Sequence, residues 1–491
     1  MRTLKTRASL DIWDEHGQNL LVVQPFLDSV IVKGDGCYLI DADGNRILDL
    51  AAGQFCSILG HNHQRFIERL RHQMGEVLHL GDQFVSPCVL KAASRLIAVA
   101  PANMKKVVFL STGSEANECA MRMAKTLTGR TGMLAFSRGY YGISLATRNL
   151  SAISDHPGKC DFLPAPGAQY KVLTPTCNRC PIRLSYPSCG AACLDVSLET
   201  ISRHLENIAA VIVEPVVSAG GMILPPKDYM KKLFTAAHDC GAMFIVDEAQ
   251  TGFGRCGTWF DIEHYEIEPD ILVVSKTGGN GYPFAAVVVS DAVGRGLEEQ
   301  FFTHLSSHQN DPLAAAAVQA VIDIVEEDGL VEHSRAMGEY FMTGLQRLQR
   351  DHELITDVRG RGLMIGFELS SDQSDSHTLA FRLAMLCERR GLHVTFSYFE
   401  PVIRIIPPLI ISQREIDSAL SILDEVLIIL GSARVRFAEL LPRNSRSGPV
   451  IQQTFKSSLR KKVGRLWNSS PQQWVDKLKS LYQRRAKEDA S

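Results

Sequence analysis

Nowhere in its 491 residues does the sequence hold an apolar run approaching the roughly 18–20 residues a helix needs to span a bilayer. No membrane-spanning helix is expected. The stretch from Met1 to Gly17 carries three early basic residues but no apolar core, which excludes a secretory signal. Asp11, Asp14 and Glu15 argue against an organelle-targeting peptide in the same stretch. Cysteine is sparse for the length. Twelve, widely scattered, do not make the dense framework that staples small secreted folds. They read as reduced core residues of a cytoplasmic protein. A surplus of one charge sign is also missing, with a net charge of −2, so nothing marks the whole chain as a nucleic-acid binder. The balance is uneven, however. From Ser432 onward Lys and Arg outnumber Asp and Glu by 14 to 4, a surplus of ten that leaves −12 for the rest. A mildly acidic body therefore carries a basic tail.

What is present is ordinary globular material: 45% hydrophobic and 22% charged residues, in a chain long enough for two or more domains. Short apolar runs alternate with helical patterns through the middle, at Lys106–Leu110, Ile208–Val213, Ala242–Val246 and Ile271–Ser275. This alternation predicts an α/β fold, with a large domain at 60–325 built on a mostly parallel sheet covered by helices. After Gly329 the pattern changes. Amphipathic helices are expected at Val331–Arg350 and His377–Arg390, strands at Leu363–Leu369 and Val402–Ile406, and a closing helix at Gln413–Leu430. These predict a smaller α+β domain at 326–432, completed by the N-terminal segment 1–59. Residues 433–491 read as an appended basic tail. A linker rich in Pro and Ser leads to two helical stretches, Phe455–Trp467 and Gln472–Arg485, whose plainest reading is solvated helices.

Four segments carry candidate chemistry. In Phe109-Leu-Ser-Thr-Gly-Ser-Glu-Ala-Asn117 a strand ends, a small-residue turn follows, and a helix begins. Helix N-terminal N–H groups bind phosphate, and small side chains let it approach, so Gly113 and Ser114 are the expected contacts. In Met243-Phe-Ile-Val-Asp-Glu-Ala-Gln-Thr-Gly-Phe-Gly254, Asp247 ends an apolar strand, where open α/β sheets gather ligands. A carboxylate there suits a protonated ring nitrogen. In Pro269-Asp-Ile-Leu-Val-Val-Ser-Lys276, a lysine at a strand end is placed to act as an amine nucleophile. In Phe136-Ser-Arg-Gly-Tyr-Tyr-Gly142, Tyr140 or Tyr141 could stack on a flat heteroaromatic ring. Each segment alone has a plainer reading: a simple connection, a helix-capping Asp, a solvated lysine, a core tyrosine. Phosphate turn, aromatic platform, pyridine partner and lysine in that order make the plain readings hard to sustain together.

With STGSEAN, RGYYG, VEPVVSAGG, DEAQTGFGRCGTWF, PDILVVSKTGG, VRGRGLMIGFEL and IRIIPPL, the chain resembles the class III aminotransferases. These are enzymes of the fold-type-I family that use pyridoxal 5′-phosphate (PLP). The likeness covers about residues 20–430. Within that class the chain looks most like the 2,2-dialkylglycine decarboxylases, on the stretch from Ala52 to His61, Asn310-Asp-Pro-Leu-Ala and Val402-Ile-Arg-Ile-Ile-Pro-Pro-Leu. The resemblance implies that Lys276 carries PLP as a Schiff base and shuttles protons. Asp247 would pair with the ring nitrogen, Gln250 would contact the phenolic oxygen, and Tyr140 would stack on the ring. Gly113 and Ser114 would hold the phosphate, helped by Ser307 of a second subunit, so a homodimer is implied. Arg404 would grip the substrate carboxylate, and Gln54 would lie near it. The implied substrates are a small α-amino acid and a keto acid.

One departure sharpens this. Many class III enzymes that use terminal amines carry a Glu five residues after the Glu of the VEP motif, which neutralises the carboxylate-binding arginine. Counting from Glu214, this chain has Ala219. Arg404 should then stay available to an α-amino acid. The leading expectation is an aminotransferase, followed by a decarboxylation-dependent transaminase suggested by Gln54 and Ala219. A racemase or lyase on the same site, or an inactive homologue acting as a binding protein, ranks lower. The insert Cys177-x2-Cys180-x8-Cys189-x3-Cys193 has the paired spacing of a zinc site, but its irregular Pro- and Gly-shaped loop favours a reduced structural loop, and no metal is assigned. His61 and His63 read as structural.

Overall fold

The computed structural model describes the chain apart from residues 1–5, 22, 24–25, 153–166, 371–375, 398–399 and 433–491. The expected basic tail, with both of its helical stretches, lies outside the described residues.

The apolar runs become a seven-stranded sheet, in the order Met104–Leu110, Ala285–Ser290, Ile271–Ser275, Met243–Asp247, Ile208–Val213, Gly132–Phe136, Gln169–Val172. Ile208–Val213, Ile271–Ser275 and Ala285–Ser290 are buried at every position, the pattern of strands covered on both faces. Only Ala285–Ser290 runs antiparallel to its neighbours, pairing with Met104–Leu110 on one side and Ile271–Ser275 on the other. The remaining ladders are parallel. Parallel pairing sends the ends of Ile208–Val213, Met243–Asp247 and Ile271–Ser275 to one edge, and the residues after them become neighbours there.

Helices cover both faces. Gly113–Thr128 packs under several strands of the sheet, and Pro312–Glu327 packs against Gln64–Glu76 and Pro87–Val99. The predicted helix at Val331–Arg350 extends over Leu330–Asp351, and the closing helix over Gln413–Gly431. That last helix opens with a capping box, Ser412 accepting from the Glu415 N–H while the Glu415 carboxylate takes the Ser412 N–H.

Two smaller sheets complete the chain. Ile355–Arg361, Met364–Leu369, Val402–Ile405 and Thr395–Phe396 form an antiparallel sheet. Gly362, at φ +52°, turns its first hairpin, so the glycines of Arg359–Gly362 serve a tight turn. Ile31–Asp35, Tyr38–Asp41 and Arg46–Asp49 form a meander, and the two-residue strand Leu392–His393 joins its edge in parallel. Leu50 N–H also bonds the His393 carbonyl, and Ile406 N–H bonds the Leu50 carbonyl. The N-terminal meander is thus stitched to the strand that bears Arg404.

Candidate active site

The phosphate turn is built from small residues because nothing larger fits. Thr112 caps the helix Gly113–Thr128, its hydroxyl accepting from Glu115 N–H at 3.3 Å. A Cβ on Gly113 would stand 2.8 Å from Ser275 Oγ. Ser114 Oγ accepts from the Ile143 N–H at 3.1 Å, and a Cβ on neighbouring Gly142 would stand 2.4 Å from that oxygen.

Asp247 ends its strand fully enclosed. Its Oδ2 accepts from the Asn117 amide at 2.7 Å and its Oδ1 from the Ala249 N–H at 2.9 Å. The same Asn117 nitrogen donates to the Tyr141 carbonyl at 2.8 Å. The helix Gly113–Thr128 therefore orients the carboxylate that ends the strand Met243–Asp247. Burial raises the Asp247 carboxyl above its usual range, and the Asn117 and Ala249 donors and the Lys276 charge offset only part of this. A cation facing Asp247 would remove that penalty.

Glu214 stands beside it, just past the strand Ile208–Val213. It accepts the Tyr140 N–H at 2.7 Å, and burial, followed by the Asp247 charge, pushes its carboxyl up to about 8. In the sequence this residue served only as the origin for counting to Ala219. The available signal was its position, a carboxylate directly after an all-apolar strand.

The two candidate tyrosines part company. Tyr141 is a core residue, its hydroxyl accepting from the Phe136 N–H at 3.2 Å and its own N–H donating to Ser151 Oγ at 2.9 Å. Tyr140 is only partly buried, and both line the cavity. Lys276 opens a 3₁₀ turn, Lys276–Gly279, with φ +39°, a left-handed conformation that a lysine adopts only when its surroundings impose it. A Cβ on Gly278 would stand 2.5 Å from the Phe284 ring, so this turn too tolerates no side chain there.

Gly113, Ser114, Tyr140, Asp247, Gln250 and Lys276 all line one cavity of about 390 Å³. The volume lies in the range of cofactor sites. Three of its buried oxygens, Asn117 Oδ1, Ser275 Oγ and Gln250 Oε1, have no hydrogen-bond partner among the described residues, as expected of groups that await a polar ligand. A phosphate turn, an enclosed carboxylate, a lysine and orphaned oxygens fit PLP.

Three expected residues are not brought into this cavity within one chain. Ser307 is exposed on the segment before the helix Pro312–Glu327. Gln54 is exposed on a left-handed turn. Arg404 is buried, its guanidinium 4.8 Å above the Phe55 ring, and Phe55 packs with Val216 of the cavity wall. Cys56, next to Phe55, lines the cavity. The carbonyl of Ala219 accepts from Ser397 Oγ at 2.5 Å. The four cysteines of the insert carry free thiols. Burial, and then the other three thiols, push the Cys193 thiol up to about 12. Among the described residues only His79, His308 and Asp311 gather as a possible metal-holding trio, so the cysteines do not.

The profile of the aminotransferase class-III family matches residues 22–427. The chain is similar to an uncharacterized aminotransferase of Schizosaccharomyces pombe, 34% identical over 84% of this chain and 94% of that one. It is similar to the acetylornithine aminotransferase of Archaeoglobus fulgidus, 32% identical over 80% of this chain and 94% of that one. Among solved structures it matches a PLP-bound amine transaminase from an uncultivated Pseudomonas species. The TM-score is 0.77, at 30% identity over 82% of this chain and 95% of that one. With its cavity built for PLP, the chain belongs to the class III aminotransferases and is a PLP-dependent enzyme of amino-group transfer.

Proposed function

We propose that the donor is a small α-amino acid held by its carboxylate on Arg404, and that the acceptor is a keto acid. The observation that carries this is the buried Arg404 guanidinium stacked over Phe55, beside the cavity wall, with Ala219 where terminal-amine enzymes of the class carry a neutralising Glu. A guanidinium binds a carboxylate bidentately, and an aromatic face beneath it fixes its plane.

In this reading the N–H groups of the Gly113–Ser114 turn hold the phosphate, and Asp247 holds a proton on the ring nitrogen. Gln250 would offer its amide to the phenolic oxygen, and Tyr140 would cover one face of the ring. Glu214, carrying its own proton at neutral pH, fixes the Tyr140 backbone without adding a second negative charge beside Asp247. When bound, PLP supplies the carbonyl carbon that takes up the amino group and a ring that delocalises the electron pair left on Cα. Lys276 would take the proton from Cα and deliver it to the cofactor carbon that received the amino group, because returning it to Cα would leave that group on the donor. Arg404 orients the carboxylate so that the Cα–H bond is the one broken.

The decarboxylation-dependent alternative rested on Gln54 and Ala219, and the likeness to an acetylornithine aminotransferase and an amine transaminase favours proton loss over it. Ser307 supports a homodimer, since it lies on an exposed segment with Phe301 and Leu305, 88% and 79% exposed, and would reach a partner's phosphate site. Free cysteines suit a reducing compartment such as the cytoplasm.

A panel of amino donors with product mass spectrometry tests the assignment. Keto-acid products from α-amino acids, without CO2 from 2-aminoisobutyrate and pyruvate, are expected. CO2 release would reverse the order of the two readings. Lys276→Ala should abolish the yellow cofactor band and lower the rate by at least about 10³-fold.

A further inference from the structure

Between the N-terminal meander and the cavity wall runs a short segment with unusual backbone. Ala52, Gly53, Gln54 and Phe55 have φ of +44°, +55°, +64° and +72°. Three of the four are not glycine, and the left-handed region is unfavourable for each of them. A turn of this kind persists only if its surroundings over-determine it.

The clamp is Asp49, the last residue of the strand Arg46–Asp49 and almost wholly enclosed. Its Oδ1 accepts from the Ala51 N–H at 2.8 Å, and its Oδ2 from the Gly53 N–H and from His61 Nε2, both at 2.8 Å. His393, paired with Asp49 across the parallel strand edge, adds a positive charge. Burial would raise the Asp49 carboxyl, but His61, His393 and the two N–H groups hold it below its usual range. The carboxylate is thus charged and fully used, and all of its bonds serve the turn.

The turn itself serves the site. Phe55 N–H bonds the Ala51 carbonyl at 2.7 Å, seating the ring beneath Arg404. Cys56 follows at the cavity wall. Past it, Leu59 N–H donates to Asn280 Oδ1 at 2.8 Å, tying the segment to the turn that Lys276 opens. Leu50 accepts from Ile406 N–H, two residues beyond Arg404. One strained strap therefore touches the arginine, the cavity wall and the lysine turn.

We propose that Asp49, clamped by His61, is a positioning residue for the substrate-carboxylate end of the site: it holds the left-handed turn that keeps Phe55 under Arg404. This rests on the reading of Arg404 as the carboxylate anchor.

The test uses the PLP-loaded enzyme and the amino-donor half-reaction alone, followed at the cofactor's visible band. L-Alanine and isopropylamine are a matched pair, differing by a carboxylate in place of a methyl group. In Asp49→Asn the L-alanine concentration for half-maximal rate should rise about tenfold or more, with the limiting rate within about twofold. The isopropylamine reaction should change by less than about twofold. His61→Ala should behave alike, and His61→Gln, which keeps an N–H donor, should recover most of the loss. Equal loss with both donors, or loss with neither, overturns the proposal. If Asp49→Asn does not fold, the two His61 variants decide it. Arg404→Gln is measured alongside. If it separates the donors and the clamp variants do not, this inference alone fails. If it does not separate them, the carboxylate reading fails and takes this one with it.

Discussion

Glu214 and Asp247 are two carboxylates on adjacent strand ends, and their environments assign them different states. Asp247 is held by two donors, so it is the one suited to ionise. Glu214 has its carboxyl raised to about 8 by burial and by that neighbouring charge. The folded protein therefore keeps a Glu214 proton that an unfolded chain sheds above the ordinary value of 4.5. The stability linked to this proton is full below that value and is lost as pH rises toward 8. Glu214→Gln removes the titration. The melting temperature of the variant relative to the natural protein should climb by roughly 2–5 °C between about pH 6 and about pH 9. Calorimetry on PLP-loaded protein checks this, and a pH-independent difference would refute it. Lys276, Asp247 and Gly113 were legible in the sequence because each closes or follows a single apolar run. The state of Glu214 was not, because it is set by a charge 33 positions away along the chain and by burial that only packing creates.

At the scale of elements, strand ends and turns do the positioning. The strand Ile271–Ser275 delivers Lys276, and its last side chain also bounds the turn at Gly113, since Ser275 Oγ would stand 2.8 Å from a Gly113 Cβ. Gly113→Ala should therefore weaken PLP retention about tenfold or more, while the fold survives. Trimming the obstruction in Gly113→Ala/Ser275→Ala should recover part of it. Dialysis of the loaded enzyme followed by absorbance measures both, and wild-type retention in the single variant would sink the argument. Ile208–Val213 and Ile271–Ser275 were predicted because continuous apolar runs need cover on two faces, whereas Gly132–Phe136, just as buried, was not singled out. Two features escaped that logic. Ala285–Ser290 is as apolar as its neighbours, and no period records that it runs the other way. Leu392–His393 is a strand of two residues, created by the edge it joins.

At the scale of the molecule, the site draws on distant parts of the chain: the N-terminal strap, the central sheet and the strand Val402–Ile405. In the homodimer reading, Phe301 and Leu305, exposed on the segment that carries Ser307, would face a second copy. Leu305→Asp should shift the protein toward monomer and lower PLP retention together. Sedimentation velocity and cofactor absorbance on one sample measure the pair, and a monomer with full retention would exclude the partner's Ser307 from the site.

The sequence by itself determined the family, the cofactor and the candidate residues for its site. Each of those lies in a contiguous motif whose local chemistry is complete: a small-residue turn before a helix, a carboxylate or lysine after an apolar strand. Only the tertiary structure decided which tyrosine belongs to the core, which carboxylate keeps its proton, and that Asp49 and His61 grip the turn beneath Arg404. These depend on burial and on contacts between segments far apart in the chain. Hydrogen-bond partners and local dielectric are properties of the packed chain, and no spacing of residues encodes them directly.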